Sequence, residues 1–134
     1  MEDAVKPLRL VFRAEVLISF LSGGYALLAP AAFANQFMPA DSPLSNAEMA
    51  RWFGAMTIAF GFVLWRALDG EWPALRIVIE AYLLGDAIFF LALILFVING
   101  GAWTNPAILT AGLTIFLAAC RVIGLSRPIL LNRA

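Results

Sequence analysis

The run from Leu75 to Ile98, L-R-I-V-I-E-A-Y-L-L-G-D-A-I-F-F-L-A-L-I-L-F-V-I, constrains the fold more than any other stretch of the chain. Pro73 precedes it and Asn99-Gly100-Gly101 follows it. At a rise of ~1.5 Å per residue, a helix of this length crosses a hydrocarbon core of ~30 Å. No backbone N–H or C=O can go unpaired in lipid, so such a run is helical. Three more apolar runs have spanning length, which gives segments at about 10–30, 46–68, 74–98 and 106–125. The chain has 134 residues, 63% hydrophobic and 13% charged, too little polar surface for a soluble domain of this size. The expected fold is therefore all-α. It is an integral membrane four-helix bundle with antiparallel up-down topology, one domain over 1–134.

The boundaries carry the residues that helix ends need. Ser45-Asn46-Ala47-Glu48 fits a capping box opening the second span, after a loop holding Pro39 and Pro43. Asp69-Gly70-Glu71-Trp72-Pro73 is a tight turn, and Asn105-Pro106 opens the last span. Trp52, Trp65, Trp72 and Trp103 fall where an aromatic belt would lie. Lys6, Arg9, Arg13, Arg66, Arg76, Arg121, Arg127 and Arg133 share one face and only Arg51 the other, which places both termini in the cytoplasm. Lys6, Arg9 and Arg13, an apolar stretch, then Ala32-Phe33-Ala34 also have the pattern of a signal peptide. Glu15 inside that stretch favours a retained first helix.

Asp86 stands near the middle of its span, where an ionised carboxylate costs about 2.5–3.5 kcal/mol even on the lenient insertion scale. Such a residue is kept when it is paired, hydrated in a cavity or used. Around it three helices carry polar stripes: Glu15, Ser19 and Ser22 with Tyr25 at the edge, Tyr82 and Asp86, and Thr110, Thr114 and Arg121. Turned inward, these stripes form a polar pocket with Asp86 at its floor. In the catalytic reading, Asp86 is a neutral proton donor and Glu15 its base or electrostatic partner. Arg121 holds Glu15 ionised, and Tyr82 orients. Ser19, Ser22, Tyr25, Glu80, Thr110 and Thr114 line the substrate. Simpler readings stand beside these: Glu48–Arg51 and Arg76–Glu80 as ion pairs along one helix, Glu15–Arg121 as an interhelical pair, and the hydroxyls as glue. Gly54 and Gly61, seven apart, permit close helix contact.

Composition excludes several functions. Net charge is zero with no basic stripe, so no nucleic-acid partner is expected. Histidine is absent and Cys120 is single, so neither a metal nor a cofactor is expected and acid–base work falls to carboxylates. The parts suit cofactor-free isomerisation, cyclisation or epoxide hydrolysis of a lipophilic small molecule drawn from the lipid bilayer. Two alternatives stay open: a proton-coupled small-molecule transporter and an accessory subunit of a membrane complex. A homo-oligomer is compatible with either.

Two stretches carry resemblances. Ala14-Glu15-Val16 resembles the first helix of the small multidrug resistance transporters, which implies exchange of protons for cationic drugs at Glu15. The chain departs from that pattern in its eight-to-one charge asymmetry and its further membrane charges. Glu48-Met49-Ala50-Arg51-Trp52-Phe53-Gly54, followed by Gly61, resembles uncharacterised four-span bacterial membrane families, which implies a bacterial inner membrane and no particular activity.

Overall fold

The computed structural model describes residues 7–37, 47–99, 103–128 and 131. Five helices follow one another: α1 (Pro7–Leu28), α2 (Pro30–Phe37), α3 (Ala47–Asp69), α4 (Trp72–Ile98) and α5 (Asn105–Ser126). No strand occurs among the described residues. Three helices, α1, α4 and α5, are long and apolar enough to cross a membrane. Their outward faces fit that solvent: Leu84, Ile88, Leu91 and Ile98 on α4 are each more than half exposed.

The expectation of four helices meets a fifth. Pro30 has no N–H to return to Ala26, so the first helical run breaks there and α2 begins. The backbone stays nearly continuous, since Ala29 N–H donates to Tyr25 O and Phe33 N–H to Ala29 O, both at 2.9 Å. A helix of α2's length is not stable alone. It is held by Phe33, whose ring lies edge-on to Tyr25 at 5.9 Å and stacks on Phe53 of α3 at 5.5 Å. α3 reaches spanning length but not the same oiliness, because Arg51 and Arg66 bracket its apolar stretch. From Trp52 to Trp65 that stretch covers roughly 20 Å, short of a ~30 Å core.

Local chemistry explains the remaining ends. Thr104 caps α5 by accepting the Ala107 N–H at 3.3 Å, and Pro106 sits in its first turn. Pro73 opens α4 in the same manner. Asn99 closes it, its backbone and side-chain N–H groups both donating to Leu95 O. Glu48 and Arg51 pair on the exposed first turn of α3. Ser45, Asn46, Pro39, Pro43, Gly100, Gly101, Lys6 and Arg133, which figured in the sequence reading, lie outside the described residues.

The most extensive helix contact joins α1 to α3. Glycines make it: a Cβ on Gly54 would stand 2.6 Å from Gly23 O and 2.8 Å from Leu27 N, and one on Gly61 would stand 2.9 Å from Ser19 Cβ. In lipid, where apolar burial drives little, such close backbone approach is a main source of helix association. Phe12, Val16, Leu64, Leu68, Leu75 and Ile79 form a shared core at one end of the molecule. Leu131 caps that core against Gly124, and Arg9 Nε donates to its carbonyl oxygen at 2.7 Å.

Candidate functional site

One residue from each of α1, α4 and α5 meets at the centre of the charged region. The Arg121 guanidinium donates through Nη2 to Glu15 Oε1 and through Nη1 to Asp86 Oδ2. All three are sheltered: Arg121 is 2% exposed, Glu15 9% and Asp86 15%. Tyr82, one turn before Asp86, lays its ring 5.0 Å from the Arg121 Cζ, within cation–π range. Phe60 of α3 buttresses that ring edge-on at 6.0 Å. A buried arginine is stable under these conditions because both forks of its planar head are matched by oxygen and its face by a π cloud.

Two polar atoms in this cluster are buried without a hydrogen-bond partner among the described residues: Glu15 Oε2 and the Tyr82 hydroxyl. Each such group costs roughly 1–3 kcal/mol when left unmet. They flank the same guanidinium, so unsatisfied acid and hydroxyl functions gather at one place in the interior. The charge count is also uneven. Two acids share one base, so the cluster balances on taking up one proton or cation.

The four residues read from sequence as catalytic are therefore together, although their arrangement differs in one respect. From sequence, Arg121 is the partner of Glu15, and Asp86 lies deeper as a neutral acid unless a cation reaches it. The long arginine side chain spans that difference in depth and engages both carboxylates.

The six residues read as substrate-lining are scattered. Ser19 packs against Gly61 on the α1–α3 seam. Ser22 is half-buried, one turn further along α1. The Tyr25 hydroxyl, at the opposite end of α1, accepts from Gln36 Nε2 at 3.1 Å. The Thr110 and Thr114 hydroxyls donate to Pro106 O and Thr110 O, each one turn back on their own helix. Glu80 points away from the cluster and accepts from Arg76 Nε at 2.7 Å on an exposed face. The pair is local to α4 and takes no part in the contacts among Glu15, Asp86 and Arg121.

A groove of about 290 Å³, open on one side, lies on the side of Asp86 away from Tyr82, between α2, α3, α4 and α5. Phe33, Phe37, Phe53, Phe89 and Phe96 supply most of its wall, with Thr110 the polar residue among its lining. Its wall on α4 (Phe89, Leu93, Phe96) continues the stripe of Tyr82 and Asp86 at helical spacing. Its wall on α5 (Ala107, Thr110) continues the stripe of Leu117 and Arg121 in the same way. This apolar groove has no polar stripe to mark it in the sequence. Phe33 and Phe37, four apart just after Pro30, were the signal available.

Among the described residues no three of His, Cys, Asp and Glu gather as a metal site requires. Compared with family models, with curated proteins and with solved structures, the chain matches none.

Proposed function

We propose that the protein is a four-span membrane protein, both termini cytoplasmic, that carries out cofactor-free proton transfer on a lipophilic small molecule at Glu15, Asp86, Arg121 and Tyr82. The single observation behind this reading is the pairing of two carboxylates with one buried guanidinium, beside an unmatched carboxylate oxygen and an unmatched hydroxyl. A fully satisfied ion pair would suffice to hold helices together; the surplus acid and the free hydroxyl are what chemistry needs. In an isomerisation or cyclisation, one acid gives a proton to an alkene, ether or epoxide and the other takes one back. The atoms then balance with no co-reactant. Arg121 fixes both carboxylates in place, the Tyr82 hydroxyl orients the substrate's polar group, and the Tyr82 and Phe60 rings shelter developing positive charge. Four spans follow if Arg51 and Arg66 reach out of the hydrocarbon along their stems, which lets α3 cross despite its short apolar stretch.

The test uses the full chain in lipid nanodiscs, incubated with a panel of lipophilic epoxides, alkenes and cyclic ethers and followed by mass spectrometry. Asp86→Asn and Glu15→Gln each leave Arg121 one carboxylate, so both variants should fold. Each should lower turnover by about 10²–10⁴-fold, the range general acid–base catalysis supplies. No conversion by the wild type, or conversion indifferent to both substitutions, removes the reading. Flux driven by a pH gradient in proteoliposomes and abolished by Glu15→Gln would replace it with a carrier.

A further inference from the structure

We infer that the phenylalanine-lined groove is a hydrocarbon subsite for a ring-bearing or unsaturated segment of about ten carbons. A benzene-sized cavity is ~150 Å³, so this open groove has room for about two such units. The inference rests on the proposed chemistry only in assigning the polar end of the same molecule to Asp86.

Three observations converge. The first is continuity: Phe89 lies three residues beyond Asp86, about 4.5 Å along the helix axis, on the face that also presents Leu93 and Phe96 to the groove. A molecule with its polar end at the carboxylate has its next atoms among these side chains. The second is the wall itself. A saturated tail gains little by leaving a bilayer for another apolar place, since the lipid already solvates it. Rings and double bonds do gain, through offset and edge-on contacts with aromatic side chains. Phe33 already meets Phe37 at 5.2 Å and Phe53 at 5.5 Å, which presents such surfaces. The third is α2. It is too short to span, yet Phe33 and Phe37 place its apolar face on this groove and bound it.

The experiment uses 4-(hydroxymethyl)benzophenone, a two-ring primary alcohol that crosslinks on illumination, with the full chain in nanodiscs. A photoactivatable hexadecanol serves as the saturated control. The benzophenone should label peptides containing Phe33–Phe37 and Phe89–Phe96 saturably, and the hexadecanol should label without saturation. Ala92→Phe, which fills the groove from an exposed position, should lower the saturable labelling about tenfold or more. Phe37→Ala, which opens the wall, provides a second variant should the first fail to fold, and should also weaken it. Equal, unsaturable labelling by both probes, or labelling indifferent to both variants, overturns the subsite and assigns the groove to bilayer tails. Asp86→Asn separates the two proposals: turnover lost with labelling retained supports both. Saturable, variant-sensitive labelling without turnover by any form leaves the subsite standing alone. Turnover with labelling indifferent to the variants removes only the subsite.

Discussion

Arg121→Met should lower the stability of the protein by about 3–5 kcal/mol, the usual consequence of removing one partner from a buried ion pair. Here the effect is compounded, since Glu15 and Asp86 both lose their cation and are left together in a medium that solvates neither. Arg121→Lys should fall between, because an ammonium is a single point of charge and does not match two carboxylates with a planar fork. The triple variant Glu15→Gln, Asp86→Asn, Arg121→Met removes every charge at once and should recover most of the loss. Unfolding by a denaturing detergent, followed by circular dichroism, measures all three. If Arg121→Met resists the detergent as well as the wild type, the guanidinium is not what holds α1, α4 and α5 together.

Gly54→Ala should be among the most damaging single methyls at the described glycines. The added carbon would meet Gly23 O at 2.6 Å and Leu27 N at 2.8 Å, both backbone atoms that cannot turn aside. Overpacking of this kind costs about 1–3 kcal/mol, which exceeds the gain of up to ~1 kcal/mol that alanine brings to a helix interior. Gly24→Ala is the matched control, since a Cβ there meets nothing within 4 Å. It should be neutral or slightly stabilising. The same detergent titration reads both, and equal stabilities for the two variants would show that the α1–α3 seam does not depend on close backbone approach.

The long helices and the charged residues of the site were legible in the sequence for a physical reason. Hydrocarbon length and the rarity of charges within it leave few alternatives, and helical spacing assigns Tyr82 and Asp86 to one face without further information. Cross-helix geometry was harder. Rise per residue places Arg121 at a depth, but its long side chain covers more than a turn of helix, so which carboxylate it meets depends on packing. Glu80 carried two readings, a substrate-lining group and an ion pair with Arg76 four residues away, and the local pair is the one that forms. α2 was read as part of a connection because so short a helix depends on tertiary contacts, and those ring contacts with Tyr25 and Phe53 have no signature in the segment itself.

The three charges of the cluster arrive from the ribosome at different times. Glu15 belongs to α1 and Asp86 to α4, whereas the cation that pairs with both belongs to α5, the last helix of the described chain. Until α5 joins, Asp86 near mid-span is a liability of about 2.5–3.5 kcal/mol. The cation that both acids reach comes from α5 alone. Burial of the two acids is thereby tied to the docking of α5, which brings the guanidinium they share.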